Sequence, residues 1–502
     1  MKRPRSVFFP PVVLDPQAQT PLYRQLYIWF RRAIVDGGLR PGQRLPSTRA
    51  LAAELSLSRI TVLNAFEQLH AEGYLEGRVG AGTFVTRSIP DEMHRPAANP
   101  LAARLLRATG SAAGATAASR RISSYGAVLA RQPPEPWLNK PVAFRVSLPA
   151  LDHFPFETWS RLTARHSRRP AARDLGYGDP MGRAGLRQAI AEYLRTVRAA
   201  RCEAENIMVV TGSQQGLQIA ARVLLDPGSR VWMEDPGYPG ARQALRVAGA
   251  ELVPVPVDDE GLDVAAGIAR CPDARAVYAT PSHQYPLGMT MSATRRMQLL
   301  NWAARAGAWI IEDDYDSEHR FASRPVASLQ GLDADARVIY IGTFSKVLYP
   351  ALRLGYVVVP TDLIRVFAAA REESDIFSAT LHQAVLTDFI NEGHFARHIR
   401  RMRMLYMERC EALVTAARAH LGDGLEITHA EAGMHLVGLM PPGIDDAAVS
   451  RAAAANGVSA MPLSACYLTQ APRGGLILGY GGVSAVEIRA GVRKLAATLA
   501  RA

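Results

Sequence analysis

Apolar positions recur along this 502-residue chain in two rhythms, and the change from one to the other marks a change of domain. In PLYRQLYIWFRRAI (residues 21–34), Leu22, Leu26, Phe30 and Ile34 fall at steps of four and predict one helix face, ended by Gly37-Gly38. Ser47 and Ser58 stand as N-caps of two short helices, the first with Leu51 and Leu55 inward, the second with Val62, Phe66 and Leu69. GYLEGRVGAGTFV follows as two β-rich pieces about Gly80-Ala81-Gly82, a small hairpin. From about residue 141, short apolar runs alternate with longer amphipathic ones. IMVV (207–210), RVWME (230–234), RAVYAT (275–280), AWIIEDD (308–314) and RVIYIGT (337–343) predict strands. Segments 183–199, 214–225, 237–248, 292–306 and 379–420 predict helices. Such alternation predicts an α/β unit around a mostly parallel sheet, and no internal repeat is visible.

Between the two regions, LAARLLRATGSAAGATAASRR and the prolines 133, 134 and 136 read as a linker, dividing the chain into 1–87, 88–140 and 141–502. An apolar fraction of 48% with 21% charged residues describes a globular chain. The cysteines at 202, 271, 410 and 466 have neither disulfide-framework nor metal-ligand spacing, so no metal site is expected. The N-terminus has no apolar h-region and no stretch reaches 18 apolar residues, so the expectation is a cytoplasmic protein with no membrane partner. Charge is uneven: +6 over 1–87, +4 over 88–140 and +2 over 141–502, within a total of +12. A basic balance this local suggests a polyanion partner for the first region, although small domains are also basic for solubility alone.

Two short helices with a tight connection and a following hairpin have the dimensions of a winged helix-turn-helix, which sets the start of its second helix in the major groove. The apolar stripe leaves Ser58, Arg59, Thr61 and Asn64 off the core side, where they suit phosphates or base edges; Arg49 and Arg78 lie at the first short helix and the hairpin. On residue chemistry alone, these arginines could equally be ordinary solvent-facing groups. Residues 21–85, with PLYRQLY, PG, LPS.R.LA, SR.TV and AEGYL followed by GTFV, closely resemble the DNA-binding domain of GntR-type bacterial regulators. The resemblance implies double-stranded DNA as partner, touched by Ser58 and Arg59, Ser47 and Arg49, and the wing from Gly80 through Gly82 to Thr83. Ile60 and Ala81 depart from the residues common there, asparagine and serine.

Lysine is nearly absent: four residues, at 2, 140, 346 and 494, against 54 arginines. Lys346 lies inside TFSKVLYPALRLGY, and a lysine kept where arginine would serve as a cation suggests an amine that must lose its proton, as in a Schiff base. A chance surface lysine is the plain alternative. Thr343, Ser345 and Arg353 could hold a phosphate, as could TGSQQG (211–216), opening a helix with Ser213. EDDYD (312–316) supplies a carboxylate and a tyrosine at a strand end. Amine, phosphate cradle, carboxylate and tyrosine together describe a pyridoxal phosphate (PLP) site.

Residues 141–502 resemble the fold-type I, aminotransferase-like PLP enzymes, through GYGDPMGRAGLRQAIAEYL, TGSQQGL, EDPGYPG, TPSHQYPLG, IIEDDYDSEHR and TFSKVLYPALRLGY in order. The resemblance implies that Lys346 forms the Schiff base, Asp313 pairs with the pyridine nitrogen, Tyr315 reaches the phenolic oxygen and Tyr238 stacks on the ring. It assigns the phosphate to Ser213, Gln214, Ser345 and Arg353, and sets Tyr285 where the family has an asparagine. Asp314 and Asp316 read instead as hydrogen-bonding turn residues. The two resemblances in one chain describe the MocR subfamily of GntR regulators: a multidomain α/β protein, winged helix-turn-helix first, PLP-binding effector and dimerisation domain second.

The family's carboxylate-binding arginine, in a strand like L-R-L-G-F, is missing, for GLILGY puts Ile477 there. Arg473 could reach inward from its loop, whereas Arg489 should face solvent. The resulting expectation is a homodimeric, PLP-binding transcriptional regulator without catalytic residues or physiological transaminase turnover. Its effector would be PLP, as in the regulators of vitamin B6 metabolism. The alternatives are an amine or aminosulfonate such as GABA or taurine, or an active aminotransferase carrying a DNA-binding appendage.

Overall fold

The computed structural model describes residues 12–78, 81–88, 122–123, 126, 130, 143–168, 172–320, 326–427 and 432–500. Gly80 and nearly all of the expected linker, 88–140, lie outside the described residues. The chain divides into two compact units, 1–122 and 123–502.

In the first unit, α1 (Leu22–Val35), α2 (Thr48–Glu54) and α3 (Arg59–Ala71) precede an antiparallel hairpin of β1 (Leu75–Arg78) and β2 (Gly82–Val85), with Leu75 opposite Val85 and Arg78 opposite Gly82. The step-of-four face is buried: Leu26, Phe30 and Ile34 meet Leu51, Val62, Phe66, Leu69 and Val85 in one core. Phe30 and Phe66 pack edge to face, 5.3 Å between ring centres. Leu55 is only half-buried. Both expected caps are present, Ser47 Oγ accepting from Ala50 N–H and Ser58 Oγ from Thr61 N–H.

The second unit is built on an eight-stranded sheet ordered β3-β10-β9-β8-β7-β4-β5-β6. Its strands are β3 (Ile207–Val210), β4 (Arg230–Asp235), β5 (Glu251–Asp258), β6 (Gly261–Leu262), β7 (Ala276–Ala279), β8 (Trp309–Asp314), β9 (Val338–Thr343) and β10 (Gly355–Val358). The centre is parallel, as the alternation predicts, and β10 alone among the inner strands runs antiparallel to both neighbours, β3 and β9. β3, β7, β9 and β10 are buried along their whole length, so they read as unbroken apolar runs instead of alternating ones. Among the helices, α4 (Ala184–Arg198), α5 (Ser213–Leu224), α6 (Pro239–Val247) and α7 (Ala293–Ala306) match prediction closely. The segment 379–420 does not form one helix. It is α8 (Thr380–Asn391) and α9 (His394–His420), broken at Gly393, whose φ of +74° no right-handed helix can hold. A second, antiparallel sheet, β11-β12-β14-β13, comprises Glu426–Ile427, His435–Leu439, Gly475–Gly479 and Met461–Pro462 respectively.

Candidate functional site

The two helix starts and the hairpin present the residues expected at DNA. Ser47, Arg49, Ser58, Arg59, Asn64 and Gly82 are exposed, and Thr61 and Thr83 half-buried. Ser58 does more than face outward. Its oxygen accepts from Thr61 N–H at 3.1 Å and lies 2.7 Å from Thr61 Oγ1, so part of its bonding capacity belongs to α3 itself. Arg78 is held within the hairpin, 2.6 Å from Glu76 and over the Phe84 ring at 4.7 Å. Ile60, 63% exposed beside Arg59, is an apolar side chain on this otherwise polar turn.

In the large unit, all nine side chains singled out for the cofactor line one cavity of about 150 Å³: Ser213, Gln214, Tyr238, Tyr285, Asp313, Tyr315, Ser345, Lys346 and Arg353. The sheet explains the convergence. Ser213 opens α5 directly after β3, Asp313 and Tyr315 end and follow β8, and Ser345 and Lys346 follow β9, so strand ends at one side of the sheet deliver them together. Lys346 is half-buried at the cavity; burial draws its amine down to about 8, against the opposing fields of Asp316 and Asp313. Its Nζ donates to Ser147 O at 3.3 Å, and its own carbonyl lies 3.3 Å from His319 Nε2. Arg145, two residues before Ser147, adds to the depression of the lysine and was not foreseen.

Asp313 is buried, and desolvation pushes its carboxyl up to about 7. The Tyr278 hydroxyl donates to Oδ2 at 2.8 Å, while Oδ1 is buried without a partner. Ser345 Oγ is likewise buried and unpartnered. At the turn into α5, Gly212 (φ +84°) leaves space that a Cβ would fill, 2.9 Å from Arg353 Nη2. The Arg353 guanidinium also donates to Thr211 O at 2.8 Å. Helix geometry leaves the first N–H groups of α5 to an outside acceptor. An orphaned carboxylate oxygen, an orphaned hydroxyl, a depressed amine and a guanidinium-lined glycine turn are the donors and acceptors PLP requires, so the residues present fit that cofactor. Thr343, expected beside the phosphate, also lines the cavity; Tyr278, Ser147 and Pro350 complete the lining and were missed.

One expectation is corrected. Asp314 and Asp316 do not serve a turn. Asp314 pairs with buried Arg198 at 2.9 Å and accepts from the Tyr340 hydroxyl at 2.5 Å, and Asp316 lies 2.9 Å from buried His283 Nδ1. Arg473 does not line the cavity: its guanidinium donates to Glu426 at 2.8 Å and to the Met440 carbonyl. Arg489 is exposed, as expected. Ile477 is fully buried in an apolar cluster with Tyr285, Val437, Met461, Leu463 and Cys466. The cavity lining carries two cations, Lys346 and Arg353.

Residues 22–85 match the bacterial regulatory proteins of the gntR family, and residues 150–492 match aminotransferase class I and II. The chain is 43% identical to a probable rhizopine catabolism regulatory protein, MocR, of Rhizobium meliloti, over 96% of this chain and 95% of that one. It is 31% identical to the pyridoxine biosynthesis transcriptional regulator PdxR of Corynebacterium glutamicum, over 94% of each. Among solved structures, the α-aminoadipate aminotransferase LysN of Thermus thermophilus superposes with a TM-score of 0.70 at 30% identity, over 76% of this chain and 97% of that one. Among the described residues no helix is long and apolar enough to cross a membrane.

Proposed function

Since the chain belongs to the MocR-type GntR regulators, a GntR DNA-binding domain joined to an aminotransferase class I and II domain, we propose that it is a homodimeric transcriptional regulator whose DNA binding answers to PLP. The observation that carries this reading is a cavity lined by the groups that suit PLP, while Ile477, at the position of the resembled enzymes' carboxylate-binding arginine, is buried in the apolar cluster that packs against Tyr285 of that lining. A carboxylate against Ile477 would lose its water without gaining a cation. When bound, PLP supplies an electrophilic carbonyl that condenses with amines. The protein's part is to bind and orient: Lys346 offers the amine, Asp313 a carboxylate for a protonated ring nitrogen, Tyr238 a ring face, and Gly212, Ser213, Gln214, Ser345 and Arg353 a phosphate cradle. Ser58, Arg59, Asn64 and the wing supply the DNA contacts, and a dimer pairs two such modules on half-sites one helical turn or a multiple apart.

Ligand control requires two arrangements of the dimer that differ in affinity for PLP, so that PLP reciprocally shifts affinity for DNA. The test is titration of PLP into apo-protein on its own upstream DNA, with sedimentation alongside. An altered affinity or footprint and a dimer are expected; an unchanged footprint with glutamate or alanine turned over to the keto acid overturns the reading. The 43% identity to a rhizopine catabolism regulator favours a second reading, in which an amine without an α-carboxylate joins PLP in the pocket. It predicts that PLP alone leaves the footprint unchanged while such amines alter it.

A further inference from the structure

Behind Tyr315 stands a buried pair, His283 and Asp316, that the cofactor contacts above do not use. His283 Nδ1 lies 2.9 Å from Asp316 Oδ1 and 3.1 Å from Oδ2, and the Tyr315 hydroxyl lies 2.9 Å from the same nitrogen. His283 Nε2 is buried with no partner. Gly433, at φ +89°, closes the far wall: a Cβ there would sit 2.2 Å from His283 Cε1 and 3.0 Å from Asp316 Oδ2. The array is therefore packed to fit this histidine, not a remnant of loose space.

Hydrogen-bond accounting fixes the protons. Asp316 is held below the usual carboxylate range despite its burial, chiefly by the hydrogen bond and field of His283, so it only accepts. The shared proton must then sit on His283 Nδ1, because a proton on Nε2 would be buried without an acceptor. A nitrogen that donates cannot accept from Tyr315. We infer that His283, locked by Asp316, is a positioning residue that makes Tyr315 an obligatory hydrogen-bond donor into the cofactor cavity. The other groups facing the array do not compete for that role. Burial keeps His435 neutral, near 4, with Nε2 donating to Pro286 O at 3.0 Å, and His319, also near 4, is engaged with the Lys346 carbonyl. Tyr285 packs edge-on to Tyr315 at 5.8 Å and its hydroxyl lies against Met461 sulfur; Asp313 is bonded to Tyr278, and Lys346 Nζ donates to Ser147 O.

The inference rests on the reading that Tyr315 faces the phenolic oxygen of bound PLP, and the test separates the two. The measurement is the pH midpoint of the visible absorbance of the PLP-loaded full-length protein, with the PLP dissociation constant alongside. A donor to that oxygen lowers its hold on a neighbouring proton, so Tyr315→Phe should raise the midpoint by about one unit. His283→Leu should raise it similarly, His283→Asn, which keeps a donor near Nδ1, should leave it close to wild type, and the double variant with Tyr315→Phe should add nothing. Asp316→Asn, which can donate to Nδ1 and turn it into an acceptor from Tyr315, should also raise it while preserving side-chain volume should His283→Leu fail to fold. If Tyr315→Phe leaves the midpoint unmoved, the cofactor reading of Tyr315 is wrong. If Tyr315→Phe moves it but His283→Leu and Asp316→Asn do not, or if the effects add, the positioning role is disproved.

Discussion

The Tyr278 hydroxyl donates to Asp313 Oδ2 and leaves Oδ1 of the same carboxylate buried without a partner. One oxygen is thus anchored to β7 and the other is reserved, which orients the carboxylate and raises the cost of leaving it ionised and alone.

That cost gives a pH dependence with a definite sign. A carboxyl whose folded pKa, about 7, lies above its ordinary value near 4 keeps its proton longer in the native state, so its contribution to stability falls as pH rises through that window. The slope is at most roughly 1.4 kcal/mol per pH unit. Urea unfolding of apo-protein at pH 5, 6, 7 and 8 should show wild type losing stability relative to Asp313→Asn as pH rises. PLP should stabilise wild type and reverse the difference at pH 8.

Lys346 is expected to carry the cofactor. Wild-type protein mixed with PLP should absorb near ~420 nm and give a borohydride-reducible adduct on this residue. Lys346→Ala should lose the adduct, and retention of the same labelled peptide would reassign the lysine.

Arg59 and Ser58 call for different experiments, because Ser58 also caps α3. Arg59→Ala should weaken specific binding by about 1–3 kcal/mol if it reads a guanine, and should weaken specific and random DNA alike if it touches only phosphate. Ser58→Ala should cost the small unit roughly 1 kcal/mol of stability, whereas Ser58→Gly should cost only a few tenths. Binding lost by Ser58→Gly therefore reports a DNA contact instead of a frayed helix.

Common α-amino acids should convert bound PLP to its amine form slowly or not at all, as followed by loss of the visible band in a single-turnover assay. The ground is Ile477, buried opposite Val437 and Met461 in the register of β14. Rapid conversion by glutamate would mean that a cation outside the lining set reaches the substrate.

Much of this was legible along the chain. IMVV at 207–210 is a strand end to end because a strand covered on both faces is continuously apolar, and Lys346 stood out in a chain that otherwise uses arginine. What stayed hidden depends on partners far apart in sequence. Arg198 meets Asp314 and His283 meets Asp316 only once α4, β8 and the loop after β7 are assembled, so EDDYD looked like a turn with spare acids. The break at Gly393 was hidden by apolar periodicity that runs straight through it.

The reversed strand β10 has a consequence for tolerance to insertion and deletion. Its first residue, Gly355, pairs with Val210 on one side and Thr343 on the other, so the chain entering it carries Arg353 to where the turns after β3 and β9 both end. Slipping β10 by a single residue would exchange the inward and outward faces of the strand and displace Arg353 from Gly212, while the apolar run Gly-Tyr-Val-Val could still pair. One residue added or removed between Ser345 and Gly355 should therefore yield a chain that folds and is deaf to its ligand, a class of defect that point substitutions in the core would not produce.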